Sequence, residues 1–313
     1  MITNKTITNL ALQEIHNNNQ IAKNKAKDNF NFAMQNKNFA LNYNNARSLQ
    51  FELAKLEFEN KDTKKIKEQL TKTYSELSNE LKKLKLTPSQ LKPQYFCKHC
   101  NDTGFVNGEQ CECLKNKKFE LILKQNNLDK NNLHSFSNVN FNIFDNKVLE
   151  QIKTIYKLAN EFVELKNPKK HNFIMFGNTG VGKTYLSECM LESALNNNQY
   201  ALLTTSFNLT EVLIKYHTAS LEDKNEILEP YLTCDLLIID DLGSEKVLNN
   251  ITREYLYIIL SERSKNNLKT VISTNLTPDA IMDVYDERIF SRIVNKHDNI
   301  LVNFVGFDLR LKK

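Results

Sequence analysis

Through the first ninety-two residues, apolar positions recur at helical spacing. The clearest run is Ile66, Leu70, Tyr74, Leu77, Leu81 and Leu84, with steps of four, four, three, four and three, which holds one narrow stripe on a helix. The stripe predicts a helical hairpin or short coiled coil, packed within its own domain or against a partner. This region has no Gly and a single Pro, Pro88, and the prolines of KLTPSQLKP end it. Residues 114–170 hold a short helical pattern (LKNKKFELILKQ), an Asn-rich turn, the patch LHSFSNVNFNIF and a second helical run. Beyond Lys170 the pattern changes. Short apolar runs, HNFIMFG, ALLTTSF, CDLLIIDD, KTVISTN and NILVNFVG, alternate with amphipathic stretches long enough for helices. Such alternation predicts an α/β domain, a parallel five-stranded sheet with helices on both faces.

Composition narrows the class. A chain of 313 residues exceeds the usual single domain, and 41% hydrophobic with 25% charged residues and a mean hydropathy of −0.49 fits a soluble protein. MITNKTITNLALQEIHNNNQ lacks the apolar run of a secretory signal, and no stretch is apolar enough to cross a bilayer. The expected location is the cytoplasm. The formal charge of +5 permits nucleic acid without demanding it. Residues 61–92 alone carry nine Lys against four acidic residues.

Four of the six cysteines lie within CKHCNDTGFVNGEQCEC, as Cys97, Cys100, Cys111 and Cys113. In a reducing compartment such a cluster holds metal or does redox chemistry rather than forming structural disulfides. Four thiolates match tetrahedral Zn2+, with Gly104 and Gly108 letting amides face the sulfurs. His99 is expected at the surface, and Cys189 and Cys234 in the core.

GNTGVGKT, from Gly177 through Asn178, Thr179, Gly180, Val181, Gly182 and Lys183 to Thr184, lies between a strand and the helical YLSECMLESAL that starts at Tyr185. This is a phosphate-binding loop in its required context. Its glycines turn amides toward phosphate oxygens, Lys183 reaches the β and γ phosphates of ATP, and the Thr184 hydroxyl takes one Mg2+ position. LLIIDDLG supplies Asp240, on Mg2+ directly or one shell out, and Asp241 to orient the attacking water. Asn275, at the end of TVISTN, could reach the γ phosphate or that water. DDLG and the NKHD of Asn295 to Asp298 also spell a guanine signature, but NKHD follows the helical DERIFSRIV instead of capping a strand.

With LLIIDDLGSEK, ITREYLYIILSER, TVISTNL and YDERIFSRI beside the phosphate loop, residues 135–313 resemble AAA+ helicase loaders of the DnaC/DnaI type and the related IstB-type transposition ATPases. CxxCxDTG followed by CxC resembles the DnaI-like members in particular. The resemblance implies an AAA+ core in which Asn275 is the first sensor, Arg292 the arginine finger with Arg288 beside it, and Arg310 the late sensor arginine. Asp241 stands where many AAA+ proteins have Glu, which suits a slow switch better than a motor. The sequence ends at Lys313, soon after the last strand, so the expectation is a core without a C-terminal lid, closed by an adjacent copy in an ATP-dependent homo-oligomer.

The implied organisation is a helical helicase-binding region over 1–92, a zinc-binding segment and linker over 93–134, and an AAA+ ATPase domain over 135–313. The implied function is an ATP-hydrolysing loader of the replicative DNA helicase onto single-stranded DNA. An IstB-type transposition accessory ATPase is the alternative, and a small-molecule P-loop kinase is a third class. Lys215 and Tyr216 of FNLTEVLIKYH are weak candidates for DNA contact.

Overall fold

The computed structural model describes residues 1–166 and 168–311. Packing groups them into two compact units, Leu10–Leu114 and Met1–Asn9 with Lys115–Lys313. The chain is thus divided after Leu114, where the sequence pattern predicts breaks at 92 and 134, and its first nine residues group with the later unit.

Unit Leu10–Leu114 takes in α1 (Asn4–Met34) from Leu10 onward, α2 (Lys37–Phe58) and α3 (Lys64–Lys83). Asn36 caps α2, its side chain accepting from Phe39 N at 3.0 Å. Helices α2 and α3 pair as the stripe predicts, and Leu77 and Leu81 join Ala33, Phe39 and Ala46 in a small core. Leu70 is also buried, whereas Tyr74 stays 45% exposed and receives a hydrogen bond from Gln50 instead. Strands β1 (Phe105–Val106) and β2 (Glu109–Gln110) form a hairpin. Its turn residues Asn107 and Gly108 have φ of 52° and 84°, the left-handed pair of a type I′ turn, which Asn-Gly favours.

The larger unit takes in α4 (Glu112–Gln125) from Lys115 onward, α5 (Leu149–Glu164), β3 (Asn172–Gly177), α6 (Lys183–Asn196), β4 (Ala201–Thr205), α7 (Ser206–Thr218) and α8 (Leu221–Thr233). Then come β5 (Leu236–Leu242), α9 (Glu254–Lys265), β6 (Lys269–Thr274), α10 (Pro278–Val284), α11 (Glu287–Val294) and β7 (Asn299–Phe304). The five predicted strands form one parallel sheet in the order β4-β5-β6-β3-β7. Every residue of β6 is buried. Successive side chains of a strand point to opposite faces, so both faces of the sheet are covered. The edges are covered as well: Asn126 Oδ1 accepts from Leu203 N on β4 at 2.7 Å, and Gln151 Nε2 donates to Asn303 O on β7 at 2.9 Å.

In the sheet β6 and β5 lie between β3 and β4, so the chain leaves β3 toward one side of the sheet and returns as β7 on the other. A crevice opens at such a reversal, beyond the carboxyl ends of the strands. The NKHD turn sits at the opposite end. Asp298 O accepts from His171 N at 3.1 Å just ahead of β3 and β7, and the Asn295 amide bonds Asp298. A guanine-reading role is therefore out of reach of the crevice.

One buried charge was not legible as such. Arg263 is fully buried, donating from Nε to Thr270 Oγ1 (3.0 Å) and from Nη1 to Tyr231 O (2.8 Å) and Cys234 O (2.9 Å). It ties α8 and the start of β5 to β6 through neutral acceptors. Cys189 and Cys234 lie in the core, as expected.

Candidate nucleotide site and cysteine centre

The phosphate loop leaves β3 at Gly177, whose φ is +145° and where a Cβ would lie 2.6 Å from Phe304 O. At Gly180 (φ +79°) a Cβ would meet Asp308 Oδ1 at 1.9 Å, because the turn at 308–310 seats directly on the loop and Leu309 N donates to Gly180 O at 2.9 Å. Val181 is buried and anchors the loop, while Asn178 and Thr179 are exposed. Helix α6 then starts at Lys183 with its first amides facing the crevice mouth.

Lys183 is 6% exposed, and Nζ donates to Gly177 O (2.7 Å), Asn178 O (2.8 Å) and Asn275 Oδ1 (2.7 Å). All three acceptors are neutral. Burial pulls its pKa below the usual lysine range, with Asp241 and Asp240 opposing that shift and Arg310 adding to it. Asp240 is 5% exposed and held by hydroxyls: Thr184 Oγ1 donates to Oδ2 (2.7 Å), and Ser273 Oγ (2.6 Å) and Ser187 Oγ (3.4 Å) donate to Oδ1. A buried ammonium and a buried carboxylate, each bonded to neutral groups, fit an anion and a cation respectively.

The strand register slips between Ile239 and Leu242. Asp241 adopts φ +59° there, an irregularity that re-aims side chains at a strand end. Its carboxylate accepts from Asn275 Nδ2 at 2.7 Å, while its amide donates to Ser273 Oγ at 2.8 Å. Lys183, Asn275 and Asp241 are therefore linked in one chain of hydrogen bonds, as the sequence reading brought them together. They line a cavity of about 640 Å³ with Thr184, Asp240 and Arg310.

Residues 106–312, well over half of the chain, match the family described as IstB-like ATP binding protein. The chain belongs to that family. It is similar to the chromosomal replication initiator protein DnaA of Helicobacter acinonychis (strain Sheeba), with 24% identity over 139 residues, 44% of this chain and 30% of the relative. The chain thus spans under a third of that relative's length. Among solved structures it is similar to DnaI (24% identity, 56% of this chain and 90% of that one, TM-score 0.44). It is also similar to the DnaC helicase loader (23% identity, 54% and 98%, TM-score 0.45).

In this IstB-like chain the rest of the cavity comes from residues that sequence reasoning left without a role. Asn138, Val139, Asn140, Ile143 and Phe144, from the patch LHSFSNVNFNIF, line it with Tyr156 of α5. Phe144 meets Tyr156 edge-on at 6.4 Å, giving the cavity an aromatic wall, and Phe136 and Phe141, outside the lining, meet Tyr156 edge-on at 6.3 and 5.4 Å. The usable signal was turn chemistry: Ser135 and Asn140 each cap the backbone two residues on, folding an aromatic-rich stretch back on itself. Tyr185 stacks on His134 at 4.0 Å along the same border.

The arginines divide. Arg310 lines the cavity, and Asp308 grips it through Nε (3.0 Å) and Nη2 (2.9 Å). Arg288 and Arg292 do not line it. They lie over the Tyr257 ring at 5.0 and 5.9 Å, with Arg288 also paired to Glu254 at 2.8 Å. Tyr216 is already engaged, edge-on to Tyr255 (4.9 Å) with Lys224 at 5.4 Å over its ring, while Lys215 is exposed.

In the other unit the sulfurs of Cys97, Cys100, Cys111 and Cys113 all lie within 4.8 Å of one another. The Cys97–Cys111 and Cys100–Cys113 separations are 3.8 and 3.4 Å, close to the edge of about 3.8 Å that a zinc–sulfur bond of about 2.3 Å gives a tetrahedron. The sulfurs are free thiols. Asp102, buried and at φ +54°, accepts from Phe96 N (2.9 Å) and Cys97 N (2.7 Å), which folds the first pair into a knuckle. Gly104 N points at Cys100 Sγ at 3.4 Å. The donor set is compatible with zinc, and His99 stays exposed.

Proposed function

We propose that the chain is an ATP-hydrolysing switch that loads a replicative DNA helicase onto single-stranded DNA. The observation that carries it is the combination, in one chain, of a nucleotide cavity built on Lys183 and Asp240 with a helical unit and a four-cysteine centre. The curated relative's name, a chromosomal replication initiator, favours work at replication.

On this reading the loop amides and Lys183 hold the phosphates of ATP, and the aromatic wall around Tyr156 receives the base. Thr184 and Asp240 would hold Mg2+, which supplies charge neutralisation on the phosphate oxygens. Asp241, fixed by Asn275, orients and deprotonates water. Its side chain is one methylene shorter than Glu, which favours slow turnover. Arg310 senses the γ phosphate by exchanging Asp308 for it. Arg292, outside its own cavity, serves the site of an adjacent copy, so ATP promotes self-association. The four cysteines would hold Zn2+ as a structural staple for the segment 97–113.

The test is helicase loading. With the purified replicative helicase of the source cell, the chain and ATP should start unwinding of forked DNA coated with single-strand-binding protein, and Lys183→Met should not. Unwinding equal with and without the chain would sink the reading. The family's IstB name supports a second reading, a transposition accessory ATPase. Association with a transposase and none with the helicase would favour it.

A further inference from the structure

Helix α11 carries Arg288 and Arg292, and its entry is set by unusual backbone. Asp286 has φ 134° and ψ 173°, a conformation that costs a non-glycine residue about 1–3 kcal/mol unless its surroundings impose it. Contacts on several sides impose it here. Asp286 Oδ1 accepts from Ile289 N at 3.0 Å. Arg253, in the π-helical turn that opens α9, donates from Nε (3.1 Å) and Nη2 (2.7 Å) to Val284 O. At the far end, Asn299 Nδ2 donates to Arg292 O and Ile293 O, both at 2.7 Å.

A further contact, beside the Arg288 pairs with Glu254 and Asp286, is between two buried polar side chains that take no part in lining the cavity. Tyr285, fully buried one residue before Asp286, donates its hydroxyl to Glu245 Oε1, and Glu245 Oε2 accepts from Gly243 N at 2.9 Å. Burial and the nearby carboxylate raise the Tyr285 pKa, which keeps the phenol a donor. Burying a carboxylate is unfavourable unless its bonds are kept, so this pair holds its geometry firmly.

Glu245 belongs to the loop that leaves β5. In that loop Asp241 O accepts from Ser206 Oγ (2.7 Å) and Ser244 N (3.2 Å), and Leu242 O accepts from Thr274 Oγ1 (2.6 Å). The Asp241 carboxylate leads through Asn275 to Lys183. A short loop, bonded at Asp241, Leu242, Gly243 and Glu245, therefore lies between the phosphate lysine's network and Tyr285, two residues ahead of the arginine helix.

We propose that Glu245 and Tyr285 are positioning residues that hold the start of α11, and with it Arg288 and Arg292, in a fixed relation to the strand-end loop carrying Asp241. This rests on the reading that Arg292 acts at the triphosphate of an adjacent copy. Through the pair, the state of one nucleotide site bears on the arginines offered to the next.

The experiment is a double-mutant cycle on the full chain, measuring steady-state ATP hydrolysis, nucleotide affinity and melting temperature. Tyr285→Phe removes only the hydroxyl. Its kcat should fall by about tenfold or more, the scale of a misplaced catalytic group, with nucleotide affinity unchanged. The Tyr285→Phe, Arg292→Ala double variant should be no slower than Arg292→Ala, because a residue acting through the arginine has nothing left to act on. Losses that multiply in the double variant, or a wild-type kcat for Tyr285→Phe beside a slow Arg292→Ala, overturn the proposal. A wild-type rate for Arg292→Ala, or no hydrolysis by the unmodified chain, overturns the reading beneath it. Where melting shows that Tyr285→Phe has lost its fold, Glu245→Gln replaces it in the same cycle. That variant keeps an acceptor for Tyr285 and disrupts the bond from Gly243.

Discussion

Replacing Lys183 with Met separates the lysine's service to the ligand from its service to the fold. The residue is 6% exposed, and its ammonium bonds three neutral oxygens at 2.7, 2.8 and 2.7 Å. Burial lowers its pKa, so at neutral pH the charged form is less favourable in the fold than in water. That penalty is present below the folded-state pKa and is relieved as pH rises toward the unfolded value. Met keeps the stem and removes the charge. Losing hydrogen bonds worth about 1 kcal/mol each is opposed by relief of the buried charge, and water reaches exposed Asn275, so unfolding free energy should change by about 1 kcal/mol or less. Binding should respond differently. One charge-assisted bond to phosphate contributes about 1.5–3 kcal/mol, so ATP affinity should weaken about 10- to 150-fold. Urea unfolding and titration with a fluorescent ATP analogue measure the two quantities. Unchanged nucleotide affinity, or a stability loss above about 3 kcal/mol, would refute the argument.

Asp240→Asn keeps the hydroxyl contacts' size and removes the charge. ATP affinity should lose its dependence on Mg2+, and hydrolysis should fall on the order of 100-fold, as read by titrations with Mg2+ and with EDTA. Metal analysis should find about one zinc per chain, and Cys100→Ser should abolish it and remove amide-exchange protection across residues 97–113. Lys269, buried with Nζ on Val163 O (2.7 Å) and Leu165 O (3.1 Å), has its pKa lowered by burial to about 8. Between about pH 8 and pH 10.5 the unfolded chain binds the extra proton, so stability relative to Lys269→Met should rise with pH, by about 1–3 kcal/mol in total. A flat difference in denaturation curves across that window would count against it.

The strands of the large unit were legible because parallel strands covered on both faces read as apolar runs, and β3, β5 and β6 are buried almost throughout. Lys183, Thr184, Asp240 and Asn275 were legible because each stands at a fixed offset from a strand end. The aromatic wall was not. Phe144 and Tyr156 come together only when an irregular stretch folds back over α5, and no period marks that. Buried charges were equally opaque, since Arg263 and Glu245 have the composition of surface residues and are recognisable only by the carbonyls, amides and phenol that meet them. On α3 the stripe gave the helix and its packed face but overreached at Tyr74, whose hydroxyl favours the wet side.

Both margins of the central sheet are occupied by amide side chains, Asn126 against Leu203 and Gln151 against Asn303. A sixth strand, whether from a second copy or from a misfolded neighbour, would have to displace them. Growth by sheet extension, the route to fibrils, is thereby discouraged. Any self-association would then have to run through helices and loops, and not through the sheet.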